Sequence, residues 1–171
     1  MIEYNSNHNR VLMAIDPGYD RIGWAIGMIV SGQLKINKSG LIQTDKKNHI
    51  FERYQYLLSN LESVLKLYKP HELAIESLFF SKNTSTAIRV SEARGVIIGC
   101  CLQHSMTVFE YNPTQIKLTV AGNGSADKTT IAKMLSLQTS ITVHDKLDDE
   151  LDALALLLTH SVLHKWSLKE K

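Results

Sequence analysis

Four acidic side chains crowd one short segment near the end of the chain, KLDDELDALALLLTH (146–160): Asp148, Asp149, Glu150 and Asp152. Asp149 and Asp152 are three residues apart, so a helix would place both on one face of its first turn. Acids in a first turn also interact favourably with the helix dipole, by about 0.3–1 kcal/mol each. The segment is therefore either a helix start, with Asp148 as N-cap and Glu150 in solvent, or part of a chemical site.

Two further acids stand where short apolar strands end. Asp16 follows VLMAI directly, and Glu76 closes LAIE. A carboxylate after a buried strand is costly unless another group compensates it, and strand C-termini in α/β sheets are where ligands bind. Taken singly, Asp16 could cap the Asp-Pro-Gly turn and Glu76 could pair with a lysine. Taken together with Asp149 and Asp152, they suggest that four acids converge.

Four converging carboxylates would repel one another, and their proton affinities would be coupled. Divalent cations relieve that repulsion. Mg²⁺ takes hard oxygen ligands and usually combines a few carboxylates with water and substrate phosphates. Two such ions about 4 Å apart can act on the attacking and leaving oxygens of a phosphodiester. The acids therefore predict a metal-dependent reaction on phosphodiesters.

The elements that must position these acids follow from hydrophobic periodicity and from Gly and Pro positions. Gly18 and Gly23 are expected to bracket a turn, and Ser31-Gly32 a hairpin. Ser125 is expected to cap a helix. The predicted order is strands at 11–15, 23–30 and 33–43, a helix at 50–68, a strand at 73–76, a helix at 84–103, a strand at 107–111, and helices from Asn112, over 126–138 and over 148–163. This order predicts one α/β domain with a mixed sheet covered by helices.

The amino-acid composition limits the class of protein but does not identify its function. The chain has 171 residues, 44% apolar residues and a formal net charge of +2. Those values fit one globular domain and leave nucleic-acid binding open. Cys100 and Cys101 are adjacent, which predicts buried free thiols in a reducing cytosol. The chain lacks the run of about 18 apolar residues that a membrane span needs, and its polar opening does not resemble a secretory signal. We therefore expect a cytoplasmic protein.

Four ordered blocks resemble the successive motifs of the RuvC-type Holliday-junction resolvases of the ribonuclease-H-like superfamily. They are IDPGYDRIGWAI (15–26), LAIESLFFSKNTSTAIRVSEARG (73–95), VFEYNPTQIKLTVAGNGSADK (108–128) and LDDELDALALLLTH (147–160). The resemblance implies a mixed five-stranded sheet in one nuclease domain over 11–165, with short tails at 1–10 and 166–171. It also implies a Mg²⁺-dependent crossover junction endodeoxyribonuclease, acting in recombination and repair and leaving 5′-phosphate nicks.

The same resemblance assigns roles to individual residues. It implies that Asp16, Glu76, Asp149 and Asp152 hold two Mg²⁺ ions per site, with Mn²⁺ able to substitute. Asp148 lies where relatives often have no acid, which leaves a one-residue ambiguity. Asp149 is preferred because D-E-L-D-A-L-A aligns without a gap.

Basic and aromatic positions are implied to act on the DNA. Lys128 matches a catalytic and DNA-binding position, and Lys117 a basic position near it. Phe79 matches an aromatic at the junction centre, while Lys82 and Arg94 are candidates for phosphate contacts. Each has an ordinary alternative: a solvated lysine for Lys117 and Lys128, core packing for Phe79, and surface ion pairs for Lys82 and Arg94.

The helix carrying Ala93, Gly95 and Gly99 resembles a homodimer interface, which would present two sites to a four-way junction. A branch-migration motor is a further candidate partner. Three alternatives stay open. A related nuclease could act on RNA, RNA–DNA hybrids or mobile-element DNA with the same acids. D-P-G-x-x-x-x-G (16–23) also resembles a phosphate loop of actin-like nucleotide-binding proteins, although these need two such lobes. The last alternative is a junction-binding protein without catalysis.

Overall fold

The computed structural model describes residues 10–78, 84–139 and 141–167. One five-stranded sheet runs through it in the order β3-β2-β1-β4-β5. The first three strands are antiparallel, and β1, β4 and β5 are parallel to one another. The elements are β1 (Arg10–Asp16), β2 (Arg21–Val30), β3 (Gln33–Gln43), α1 (Ile50–Tyr68), β4 (Glu72–Glu76), α2 (Thr84–Gln103), β5 (Thr107–Tyr111), α3 (Pro113–Ala121), α4 (Lys128–Thr139) and α5 (Asp148–Ser167). The predicted mixed sheet and its element order are confirmed.

The two faces of the sheet differ in side-chain size because successive strand residues point to opposite sides. On one face, large side chains such as Met13, Ile15 and Ile75 pack with α1 and α2. On the other face, small residues such as Ala14 and Ala74 leave room for α5 to lie close to the strands. Helices α3 and α4 then pack against α5. The molecule therefore has four layers: α1 with α2, the sheet, α5, and an outer pair formed by α3 and α4.

The helical spacing of Leu147, Leu151, Leu154 and Leu158 predicts one buried stripe on α5, but the helix is buried on nearly all sides. Every residue from 153 to 161 is buried, while Leu147 is 49% exposed. A helix covered by a sheet on one side and helices on the other must be apolar all round. The Ala/Leu-rich run at 153–158 meets that requirement.

Helix and turn ends follow their local sequence signals in most places. Ser31 and Gly32 both have positive φ, as a two-residue hairpin requires. Asn112, the predicted start of the third helix, caps α3 in a reciprocal pair with Gln115. His49 and Glu52 form the same kind of capping box on α1, which periodicity alone did not indicate.

Two predicted helix caps are wrong by one or two residues. Helix α4 is capped by Asp127 rather than Ser125, because the Thr130 amide donates to Asp127 Oδ1 over 2.8 Å. In α5, the Leu147 carbonyl accepts the first helical hydrogen bonds, so Asp148 stands inside the first turn. Leu147 is therefore the N-cap residue of α5, and Asp148 is not.

The element ends differ slightly from the predicted domain limits. Strand β1 begins at Arg10, inside the expected N-terminal tail, and α5 reaches Ser167. Across the residues that the structure describes, none of the helices is long and apolar enough to cross a membrane.

Candidate active site

Asp16 and Glu76 reach the same edge and the same face of the sheet. They are the last residues of β1 and β4, which are parallel neighbours and therefore end at one edge. Side chains alternate along a strand, so Asp16 lies on the face of Ala14, and Glu76 on that of Ala74. That face packs against α5, whose first turn carries Asp149 and Asp152. Residues far apart in sequence thus meet at one end of α5.

Gly23 lets the start of α5 come directly onto the sheet. It pairs with Asp16 in the β1–β2 ladder, and a Cβ built on it would lie 1.7 Å from the backbone oxygen of Asp149. No side chain fits there. The expectation that Gly23 bounds a turn is wrong, because β2 already begins at Arg21. Gly23 instead sets the distance between Asp149 and Asp16.

Mutual repulsion marks these four acids as one cluster. Burial, together with the charges of Asp152, Glu76 and Asp149, raises the pKa of Asp16 to about 7. Burial and the charge of Asp152 likewise raise the pKa of Glu76. Burial is also the main cause of the raised pKa of Asp152. The structure therefore brings together all four acids selected from the sequence.

The geometry favours Asp149 over Asp148 as the member of this cluster. The Asp149 side chain is 21% exposed, whereas that of Asp148 is 64% exposed. Asp149 is among the charges that raise the Asp16 pKa, and Asp148 is not. Asp148 instead accepts a hydrogen bond from Lys128 over 2.9 Å, which lowers the pKa of Asp148. Asp148 thus points toward the lysine and away from Asp16.

Lys128 and Lys117 face the acids across an open cleft of about 220 Å³, whose lining also includes Glu76, Asp148 and Asp152. Lys128 Nζ lies 3.9 Å from Asp152, and its hydrogen bond to Asp148 raises the Lys128 pKa. The charge of Lys117 acts on Glu76 and Asp152 to lower their pKa values against the effect of burial. A second cleft of about 250 Å³, which shares Glu76, reaches Asp16.

Arg21 is a site residue that the sequence did not reveal. Its Nε lies 3.0 Å from Asp149 Oδ2 as an ion pair. The N–H is not aligned on the oxygen, so this buried carboxylate oxygen has no hydrogen bond within the described residues. Arg21 and Gly23 lie on the same face of β2, which is why Arg21 reaches Asp149. Sequence analysis predicted a turn between Gly18 and Gly23, so it did not indicate that Arg21 and Gly23 share one face of a strand.

Glu150 holds the start of α5 to β3 instead of facing solvent as predicted. Its carboxylate accepts hydrogen bonds from Ser39 on β3 and from Lys146 in the loop before α5. Lys146 also donates to Ser39 over 2.9 Å. The Glu150 side chain is 13% exposed. The i,i+4 spacing of Lys146 and Glu150 was the one sequence signal of this contact.

Arg53 fixes the loop that follows Asp16. It donates to Thr44 Oγ1 and to the backbone oxygen of Tyr19 over 2.9 and 2.8 Å, and pairs with Asp20. Its guanidinium also lies 4.9 Å from the centre of the Tyr19 ring. A buried arginine on α1 therefore anchors the Asp-Pro-Gly loop beside the acids.

The remaining predicted DNA contacts are placed differently. Arg94 is largely buried, donates to the Glu76 backbone oxygen over 3.2 Å and pairs with Glu110. That arrangement matches its ion-pair alternative, and a DNA contact of Arg94 stays a prediction. Phe79 and Lys82 lie outside the described residues.

The acid cluster has the chemistry of a divalent-cation site. It offers hard carboxylate oxygens, and Asp149 contributes a buried oxygen without a hydrogen bond in the described structure. Within residues 10–78, 84–139 and 141–167, no three His, Cys, Asp or Glu side chains are gathered tightly enough to hold one ion. The acids thus lie close enough to repel one another, but their side chains are not arranged around a single point.

Comparison with known proteins identifies the family of the chain. A family model described as crossover junction endodeoxyribonuclease RuvC matches residues 12–160. The chain belongs to this family. It is 40% identical to the RuvC enzyme of Brachyspira hyodysenteriae over 88% of this chain and 93% of the relative. With the enzyme of Caldicellulosiruptor saccharolyticus it shares 41% identity over 87% of this chain and 90% of the relative.

Solved structures agree with the family fold. Thermus thermophilus RuvC in complex with a Holliday junction substrate superimposes with a TM-score of 0.86 at 24% identity, covering 92% of this chain and 96% of that one. The yeast mitochondrial Holliday junction resolvase Ydc2 gives a TM-score of 0.65 at 10% identity, covering 93% and 82%. The predicted RuvC family, ribonuclease-H-like fold and nuclease class are confirmed.

Proposed function

We propose that this chain resolves four-way (Holliday) DNA junctions as a metal-dependent endonuclease in recombination and repair. Membership in the crossover junction endodeoxyribonuclease family supports the reaction and its substrate. The observation that carries the assignment of the site is the cluster of Asp16, Glu76, Asp149 and Asp152. Their burial and repulsion raise the pKa of Asp16 to about 7. Because these carboxylates repel one another when ionised, a bound divalent cation would stabilise their charged forms.

We propose that these four acids hold two Mg²⁺ ions per site, with Mn²⁺ able to substitute. Bound divalent cations would neutralise charge at the scissile phosphate and lower the pKa of the attacking water. The acids come from the ends of β1 and β4 and from the first turn of α5. Three packed elements therefore fix their backbones before substrate arrives.

Lys128 is proposed to stabilise negative charge on the phosphate during hydrolysis. It lines the cleft with Glu76 and Asp152, and its Nζ lies 3.9 Å from Asp152. A positive charge placed where negative charge develops stabilises the transition state more than the ground state. Water adds to phosphorus and the 3′-oxygen leaves with a proton. The nick therefore carries a 5′-phosphate and a 3′-hydroxyl and can be sealed by a ligase.

We also propose how this domain assembles with other molecules. Residues 11–165 would act as one nuclease domain, paired as a homodimer in the cytoplasm, with a branch-migration motor as a candidate partner. Phe79, Lys82, Arg94 and Lys117 are proposed DNA contacts. The half-buried position of Lys117 in the cleft supports its role, because it faces the acids rather than open solvent.

Cleavage of a synthetic four-way junction tests the proposal. The wild-type protein should make paired, symmetric nicks near the crossover in Mg²⁺ and none in EDTA, with 5′-phosphate ends. Duplex DNA, an RNA–DNA hybrid and a structured RNA complete the panel. Cutting of RNA or hybrid in preference to the junction would replace the proposal with a different nuclease specificity.

Matched amide variants test the acid cluster. Asp149→Asn should bind the junction in a gel-shift assay with wild-type affinity yet lose at least about 100-fold in cleavage rate, since a ligand to the catalytic cations is removed. Asp148→Asn removes an equal charge one residue away and should keep cleavage within about threefold, because its partner is exposed Lys128. Loss of cleavage in Asp148→Asn with retention in Asp149→Asn would reverse the assignment.

A further inference from the structure

Asp149 is held by a positive charge that does not belong to the proposed catalytic set. Arg21 Nε lies 3.0 Å from Asp149 Oδ2, and Arg21 is half exposed while Asp149 is largely buried. Arg21 stands at the first position of β2, on the side that faces α5. The contact therefore joins the sheet to the first turn of α5 at the point where the acids meet.

Arg21 is the cation in direct contact with Asp149, although the charge of Lys128 also acts on Asp149 from farther away. Asp16, Glu76 and Asp152 are mutually repelling, and Lys128 is hydrogen-bonded to Asp148. Lys117 acts on Glu76 and Asp152. Among the residues that the structure describes, Arg21 is the cation ion-paired with Asp149. Removing Arg21 would leave a buried carboxylate facing other acids, a costly arrangement.

This ion pair is close in distance but poorly aligned for a hydrogen bond. The guanidinium N–H is not aligned for a hydrogen bond, and Asp149 Oδ2 remains without one in the described residues. By contrast, Glu150 next to it is fixed by hydrogen bonds from Ser39 and Lys146. The backbone at this position is thus anchored by Glu150, while Asp149 Oδ2 meets the Arg21 charge without an aligned hydrogen bond.

We propose that Arg21 is the counter-ion of the metal-free site: it neutralises Asp149 until a divalent cation takes that oxygen, and so sets how much metal the enzyme needs. This inference rests on the proposed function for Asp149. Arg21 is a positioning residue, which acts through Asp149. Since Arg21 and the cation compete for one carboxylate, loss of Arg21 should strengthen metal binding and weaken the metal-free protein.

Mn²⁺ binding without DNA tests the competition directly. We expect Arg21→Gln to lower the Mn²⁺ dissociation constant about fivefold in isothermal titration calorimetry or by electron paramagnetic resonance, which is the scale of a partly exposed ion pair. Lys46→Gln is the matched control. Lys46 lies in the same concavity but pairs with Asp20 over 3.1 Å, so its loss should leave Mn²⁺ affinity unchanged. Unchanged or weaker Mn²⁺ binding in Arg21→Gln, or an equal gain in Lys46→Gln, would overturn the proposal.

A double-mutant cycle in EDTA keeps this test separate from the nuclease assignment. Arg21→Gln should lower the metal-free melting temperature in the wild-type background and have little effect beside Asp149→Asn, because the charge that Arg21 neutralises is then gone. An equal loss in both backgrounds would assign Arg21 a purely structural role. Absence of Mn²⁺ binding and cleavage in the wild type would instead refute the proposed function, whatever the cycle showed.

Discussion

At the scale of single residues, Asp16 carries much of the electrostatic cost of the site. It ends a buried strand and faces Asp152, Glu76 and Asp149, with Lys128 as an opposing charge. Its pKa of about 7 in the folded protein compares with 3.8 as the ordinary value. Between those pH values the folded protein keeps a proton that the unfolded chain has lost, so the metal-free protein loses stability as the pH rises from 4 to 7.

Asp16→Asn removes this pH-dependent cost. In EDTA at pH 8 we expect the variant to melt about 5 °C above the wild type, since a neutral amide escapes the repulsion of the other acids. The difference should vanish near pH 4, where the wild-type carboxyl is protonated in the folded state. Thermal melts followed by circular dichroism over pH 4–8 measure it. A wild-type protein more stable at pH 8 than Asp16→Asn would contradict the raised pKa, whereas cleavage should be lost in the variant regardless.

At the scale of elements, the site depends on how closely α5 approaches β2. Gly23 and Gly27 both lie on the β2 face that α5 covers, but their surroundings differ. A Cβ at Gly23 would meet the Asp149 backbone, whereas one at Gly27 would chiefly meet the ends of Leu34 and Leu157. Flexible side-chain ends can move by a few tenths of an ångström, and a helix backbone anchored by Glu150 cannot.

Gly23→Ala should therefore displace the start of α5, with Asp149 and Asp152 attached to it. We expect a loss of about 2–4 kcal/mol in the free energy of unfolding and at least about 100-fold in cleavage rate. Gly27→Ala is the matched control on the same strand and should cost about 1 kcal/mol or less and retain cleavage within about threefold. Urea unfolding and junction cleavage measure both. Equal effects of the two variants would show that the approach at Gly23 has no special part in the site.

At the scale of the whole molecule, one face of α2 is left uncovered. Gly95 and Gly99 are exposed, and a Cβ built on either meets no atom within 4 Å. Ile88 and Leu102, on the same side, are 54% and 55% exposed. Ala93, on the same helix, lies in the core and does not contribute to this surface. The remaining small and apolar positions keep the homodimer a testable prediction.

Gly95→Arg tests the dimer without disturbing the core. The wild type is expected to sediment as a dimer and the variant as a monomer, because a long charged side chain would stand where a partner's α2 must approach. The circular-dichroism melt of the variant should stay within about 5 °C of the wild type, since its side chain enters open space. Leu67→Arg, at a 71% exposed position on α1, is the matched control and should remain dimeric. A monomeric wild type would refute the prediction.

Local sequence patterns predicted the order of the elements, which the fold confirms, and selected the four acids that the structure brings to one end of α5. Local periodicity and motifs that resemble one family were enough to recognise Asp16 and Glu76 at strand ends. The same signals indicated the i,i+3 pair Asp149 and Asp152. Those signals lie within short stretches of chain, so they can be recognised without coordinates. The αβ architecture followed from the same local patterns.

The groups that stand beside those acids could be identified only from the folded structure. Gly23 packs against the backbone of Asp149 in α5. Glu150 accepts a hydrogen bond from Ser39, and Arg21 forms an ion pair with Asp149. Each of these pairs joins residues more than 100 positions apart, and neither member carries a local mark of the other. Burial of α5 on all sides likewise came from packing between layers. Partners across a fold are set by how elements dock, and docking is a property of the whole chain rather than of any segment.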